Sequence, residues 1–278
     1  MKNIQILFST VVCGWLLSFS AAAPAQNIVQ GVATVVRVRG EASYTLESGP
    51  NAKWIPLVAG KILQAGATIK TETGALVDVV LGKTVEFPQA RPTPDSISLA
   101  PDSLVRGAVD YKPSAEQNVV RLSGGTTLKI DKLTVSDTGV DTVSDTELDL
   151  QKGRIFASVK KISGASQYLI KIPNGIAGVR GTKLSIGADG SVAVLTASSP
   201  SDVVLSITNP DGTTTTYVIA AGDQFDPQSG QTGPVPAEFL GLLQQIASAL
   251  DTVYLQIVSV SVSIDKTQVS LSPTSGTL

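Results

Sequence analysis

From residue 31 to residue 230 the chain is a near-unbroken series of short runs rich in Val, Ile, Leu and Thr, each closed by Gly, Pro, Asn or Asp. β-Branched side chains fit a pleated surface and lose rotamer freedom in a helix, so such runs between turn residues read as strands. Val32–Val38, Tyr44-Thr-Leu46, Trp54–Leu57, Thr68–Thr71, Leu76–Leu81, Ser96–Leu99 and Thr127–Ile130 are runs of this kind. Leu148-Asp-Leu150 and Gly153–Val159 read as the next pair of strands, followed by Tyr168–Ile172. The spacing predicts two hairpins. Thr182–Ile186 and Val192–Leu195 flank Gly187-Ala-Asp-Gly190, and Val203–Ile207 and Thr214–Ile219 flank Asn209-Pro-Asp-Gly212. Pro and Gly there supply the restricted and positive φ that tight turns need. The fold this pattern predicts is mainly β.

The pattern changes after Gly230. Gly233-Pro-Val-Pro236 reads as a linker. Phe239, Leu242, Leu243, Ile246, Leu250, Val253 and Ile257 then recur at helical spacing, predicting one amphipathic helix with Pro236 and Glu238 suited to its start. A lid on the end of the β region is the plain reading of that helix, and a dimer or partner surface is the sharper one. Its Gln and Ser face is the wrong chemistry for anionic lipid. Val258, Val260, Val262 and Ile264 alternate with serines, predicting a further strand with one wet face, and a polar tail follows from Lys266.

Residues 1–25 carry Lys2, an apolar stretch from Ile4 to Phe19, and Ala23-Pro24-Ala25, the small-x-small pattern of a cleaved secretory signal. The domain plan is thus a signal peptide at 1–25, a β domain at 26–230, and linker, helix, strand and tail at 231–278. Cleavage would remove Cys13 and Met1, the single Cys and Met in the chain, which has no His at all. A mature chain without His or Cys has no Ser/His/Asp triad, thiol nucleophile, disulfide, or imidazole or thiolate metal ligand. The charge of the whole chain is −2, and loss of Lys2 makes it more acidic. With no basic run, nucleic acid is an improbable partner. No stable membrane insertion is expected after cleavage, and no cofactor or metal is implied.

The stretch Ile170–Ile186 joins two strands through Pro173-Asn-Gly-Ile-Ala-Gly-Val-Arg-Gly-Thr182. Gly175, Gly178 and Gly181 allow tight turning or close approach of another strand, and Arg180 offers five donors. Arg180 could tie loop carbonyls together or bind an anion or a partner's carboxylate, with bracing the plainer reading. This segment resembles the signature of the FecR domain family, which ends in Arg-Gly-Thr. Gly60–Ala75 resembles the family's opening pattern, Ser98–Ser103 its strand and turn ending in serine, and Leu148–Val159 its strand with a central Lys-Gly. The resemblance runs over about Gly31 to Gln228, with Leu195-Thr-Ala-Ser198 where relatives commonly have Leu-Glu-Gly. It implies a mostly β domain of the cell envelope, its sheet wound or stacked in β-helix-like or sandwich form. The best-known relatives are transmembrane regulators whose outer domain receives a signal from an iron-siderophore receptor and whose cytoplasmic segment controls a sigma factor. With an export signal at its start, this chain is expected to lack that cytoplasmic activity.

Other candidates carry weaker chemistry. Asp137-Thr138-Gly139 is the aspartic-protease tripeptide, but a proton-sharing pair needs two copies and there is one. Asp131, Asp137, Asp141, Asp145, Glu147 and Asp149 could hold calcium, but they lack EF-hand spacing, and the stretch reads as a solvated acidic loop. Trp54 and Tyr44 could stack a sugar, although Trp54 beside Pro56 and Leu57 reads as core. Ser158 and Lys160 fall on one strand face without an oxyanion feature. The function these residues point to is non-enzymatic: an exported binding, scaffolding or signal-receiving module, periplasmic or at the cell surface. Its partner would be an envelope protein or a second copy of itself. A diffusible regulatory partner of a membrane signalling protein, a self-assembling surface protein and a carboxylate-based hydrolase are the alternatives.

Overall fold

A computed structural model of the protein describes residues 27–85, 107–114, 117–137, 141–160, 163–197 and 203–257. The first strands are β1 (Asn27–Gln30), β2 (Val32–Arg39), β3 (Ala42–Thr45), β4 (Ile55–Pro56), β5 (Ile62–Leu63), β6 (Thr68–Thr71) and β7 (Leu76–Gly82). Then come β8 (Gly107–Tyr111), β9 (Asn118–Leu122), β10 (Thr127–Asp137), β11 (Thr142–Lys152), β12 (Arg154–Ser158), β13 (Gln167–Ile172) and β14 (Gly175–Gly178). The last are β15 (Thr182–Gly187), β16 (Val192–Ala197), β17 (Val203–Thr208), β18 (Thr214–Ile219), β19 (Asp223–Asp226), β20 (Gln231–Pro234) and, after helix α1 (Ala237–Asp251), β21 (Val253–Ile257).

These strands form two large sheets. The first runs β18-β17-β14-β13-β11-β10-β6-β3-β4, with β1 added on β10; the second runs β20-β19-β16-β15-β12-β9-β7-β2-β5. β8 and β21 make a small third sheet. One core lies between the large sheets, with Ile69, Leu128, Leu148, Ile170 and Leu205 from the first meeting Val35, Val79, Leu122, Ile155 and Ile186 from the second. Each fully buried side chain of this kind contributes about 1.5–3 kcal/mol, which is how a fold without disulfides is held. The protein is therefore mainly β, and of the two forms anticipated it is the sandwich, wound by a chain that passes repeatedly from sheet to sheet.

A second, smaller core covers the outer face of the second sheet. Val36, Val80, Val119, Phe156 and Ala193 pack there against Leu243 and Leu250 of α1 and against Val235 and Val253. Thus α1 lies on a sheet face and not on the end of the β region. It is also shorter than its apolar spacing implies. Helix geometry stops at Asp251, and Val253–Ile257 pairs antiparallel with β8, because β-branched and aromatic residues after Thr252 gain more from a strand partner. The linker reading of Gly233–Pro236 is corrected too: Gln231–Pro234 is β20, paired with β19.

Both predicted hairpins form, β15 with β16 and β17 with β18. The pairing expected between Leu148–Leu150 and Gly153–Val159 does not. The single residue Gly153 separates β11 of the first sheet from β12 of the second, so β11 pairs parallel with β13 while β12 joins β9 and β15. The acidic stretch is likewise no loop: it is most of the β10–β11 hairpin, whose alternate residues face the core. Trp54 is 42% exposed and not core. The leader 1–25, Ser96–Leu99 and the segment from Val258 lie outside the described residues. No helix among the described residues is long and apolar enough to cross a membrane.

Candidate functional site

The signature forms the corner at which the chain leaves the first sheet for the second. Pro173 and Asn174 turn β13 into β14, and β14 is pinned between β13 and β17. A Cβ on Gly175 would stand 2.3 Å from the carbonyl oxygen of Ser206, so the close approach of β17 excludes any side chain there. The crossing is then clamped on both sides. Val179 N–H donates to the Tyr168 carbonyl (2.9 Å), Thr182 Oγ1 donates to the Arg180 carbonyl (2.8 Å), and Val159 N–H donates to the Thr182 carbonyl (2.9 Å). Gly181 takes φ +59° between them. Thr182 is buried, whereas the side chain of Arg180 is exposed. Among the described residues its guanidinium takes no hydrogen-bond or ion-pair partner, so the bracing expected of it is made instead by backbone atoms and Thr182. The result is an exposed cation on a fixed stretch of backbone, able to meet an external carboxylate or phosphate.

A second cluster escaped the sequence reading. On the outer face of the second sheet, in one cross-strand row, Asp78 of β7 lies between Arg37 of β2 and Arg121 of β9. Arg121 Nε and Nη2 reach the two Asp78 oxygens at 2.7 and 3.0 Å, and Arg37 Nη2 reaches Oδ2 at 2.8 Å. The Asp78 side chain is fully buried. Tyr254 of β21 places its ring 6.0 Å from the Arg37 guanidinium, tying the C-terminal strand to the triad. The available signal was an Asp in the middle of the apolar run Leu76–Leu81, together with arginines inside two other β-branched runs.

The remaining candidates are dispersed or differently placed. Asp131, Asp145 and Glu147 do not converge on a cation position. They pair with lysines along the outer face of the first sheet: Lys129 with Asp131 at 2.8 Å, Lys171 with Asp131 at 3.2 Å and with Glu147, and Lys132 with Asp145. Burial pushes Asp131 up, but hydrogen bonds from Lys129 and Lys171 outweigh it and hold the carboxyl below its ordinary range. Glu147 and then Asp131 raise Lys171. A carboxylate held ionised as Asp131 is makes a poor proton donor. Among the described residues no group of acids is placed to hold a metal ion. Thr138 and Gly139 lie outside the described residues. Tyr44 is buried with the Lys61 ammonium 5.1 Å from its ring centre, so it forms no joint platform with exposed Trp54. Ser158 is buried in β12, and Lys160 lies beyond the strand's end.

Comparison with known proteins bears on the same corner. Residues 97–199 match the FecR protein family. The FecR match spans β8 to β16 and includes the whole signature from Pro173 to Thr182, while Gly60–Ala75 lies ahead of it. No curated protein matches the chain. Two crystal structures, each of a provisionally assigned anti-sigma factor from Parabacteroides distasonis ATCC 8503, are similar to it. One is 13% identical with a TM-score of 0.34, covering 51% of this chain and 65% of that chain. The other is 15% identical with a TM-score of 0.33, covering 50% and 61% respectively. This chain therefore spans less than two thirds of either structure's length.

Proposed function

We propose that this FecR-type protein is a non-enzymatic signal-receiving module of the bacterial cell envelope, exported to the periplasm or cell surface, that acts by binding a protein partner. The β region of residues 26–230 carries the contact, and α1 covers the outer face of the second sheet. The observation that carries this reading is Arg180: its backbone is locked at a sheet-to-sheet corner, its side chain is exposed, and its donors have no partner among the described residues. The fixed backbone sets where the guanidinium can reach, and its planar fork matches a carboxylate bidentately, which offsets the rotamer entropy lost on docking. Cleavage after Ala25 is compatible with this reading, since β1 begins at Asn27 and would remain whole. The test is affinity capture from detergent-solubilised envelopes with the mature chain and its Arg180→Glu variant, against a heat-unfolded control. The mature chain retains a membrane protein, and the variant binds it about tenfold or more weakly with an unchanged melting temperature. Equal retention by both would remove Arg180 from the contact, and no retention above the control would remove the partner.

A further inference from the structure

We infer that the protein self-associates head to tail, the segment Val258–Ile264 of one copy adding as a strand to β18 of the next. This rests on observations separate from the Arg180 contact.

Among the described residues five strands of the two large sheets have an open edge, and four are short or blunted, β1 being four residues long. β4 is two residues with Pro56, β5 is two residues, and β20 contains Gly233 and Pro234. β18, Thr214-Thr-Thr-Tyr-Val-Ile219, is six residues long with no charge, proline or glycine. Sheet edges left in that state pair with further strands, which is why natural edges are normally short, charged or kinked.

The backbone groups it offers follow from register. Asn209 N–H donates to the Thr213 carbonyl, and Thr208 N–H turns the other way, to Asn174. With Thr208 opposite Thr214, the N–H and C=O of Thr214, Thr216 and Val218 point away from β17, and no described strand meets them. On the outer face this edge shows Thr214, Thr216 and Val218, the last 60% exposed. On the inner face it shows half-buried Thr215 and Tyr217 and buried Ile219, with Tyr217 against Phe225 of β19 (ring centroids 4.4 Å apart) at the end of the sandwich. The matching strand is uncharged and has apolar side chains on one face and hydroxyls on the other. Val258-Ser-Val-Ser-Val-Ser-Ile264 is such a sequence. Its valines would extend the core beside Tyr217, and its serines would lie beside Thr214 and Thr216.

The segment cannot reach the edge of its own molecule. β21, which ends at Ile257, lies beside β8 and Tyr254 meets Arg37 of β2, six strands from β19 in the second sheet. Six inter-strand steps are about 29 Å. Seven extended residues span at most about 25 Å, which leaves no length to lie along β18. The donor is therefore a second copy. Since edge and donor are different surfaces, the contact is heterologous and does not stop at two copies.

Sedimentation velocity of the mature chain over a wide concentration range tests this. Species larger than a dimer are expected to grow with concentration. Thr216→Pro, which removes an edge N–H that the β17–β18 hairpin does not use, and Val260→Pro, which alters no residue of the described fold, are each expected to be monomeric. Mixed together they are expected to give one new species, a heterodimer, because one supplies the donor and the other the edge. A synthetic peptide of residues 258–264 is expected to dissolve the wild-type multimers. A wild-type monomer at every concentration, association that stops at a dimer, or a mixture that stays monomeric would each overturn the proposal. Circular dichroism of Thr216→Pro monitors its fold, and should it unfold, Val260→Pro and the peptide decide alone.

Discussion

At the scale of single residues, the three signature glycines are unequal. Gly175 faces the Ser206 carbonyl at a distance no Cβ tolerates, whereas a Cβ on Gly178 would find its nearest atoms at 3.9 Å. Gly175→Ala is expected to destabilise by about 2 kcal/mol or more through forced displacement of β17. Gly178→Ala should change stability by no more than about 0.5 kcal/mol, and urea unfolding of the two variants checks the contrast. Asp78 makes the stronger case. Removing its carboxylate by Asp78→Leu leaves Arg121 buried and Arg37 half-buried without their partner, an expected cost of about 3–5 kcal/mol, whereas Asp78→Leu with both Arg37→Leu and Arg121→Leu should recover much of it. The sequence signals the glycine pattern because backbone permissiveness is a property of residue type. It does not signal the Arg37–Asp78–Arg121 triad, because that grouping exists only once β2, β7 and β9 are neighbours, and β9 is hidden by the arginine inside Asn118–Leu122.

At the scale of elements, the β10–β11 hairpin shows how composition can mask a strand. Its Asp, Thr and Ser content looks like a loop, yet Leu148 and Leu150 face the core while Asp145, Glu147 and Asp149 face outward. The charges are tolerated because lysines from β10 and β13 stand beside them. Asp131 is held low in the folded state, so its stabilising contribution is complete above the ordinary carboxyl range near about pH 4 and is lost as pH falls through its folded value. The melting temperature should drop on acidification in that window, and Asp131→Asn should shallow the drop without abolishing it, since Asp189, Asp211 and Asp226 are lowered as well. The C-terminal helix was half legible. Its buried positions Leu243, Ala247 and Leu250 keep helical spacing, but Val253 and Ile257 continue that spacing by accident while their chemistry favours a strand. Leu243→Ala and Leu250→Ala should each cost about 2–5 kcal/mol by chemical denaturation, because α1 is attached through the second core.

At the scale of the whole molecule, the short β-branched runs made a mainly β fold legible, but the division into two sheets was not. Whether a strand joins its predecessor or the opposite sheet is decided by long-range pairing, as Gly153 between β11 and β12 illustrates. Because one core runs through both sheets and α1 is packed on the second, calorimetry should show a single cooperative transition, with loss of helix signal coincident with loss of sheet. The placement of the chain's outermost described strands has a mechanical corollary. β1 rests on the sandwich by four residues along β10, with Ile28 and Val29 exposed, and β21 is hydrogen-bonded to β8, which belongs to neither large sheet. A stretching force applied between the two ends would load these marginal pairings first, and they would peel while the interior stayed shut, so tension would be dissipated in two sacrificial strands.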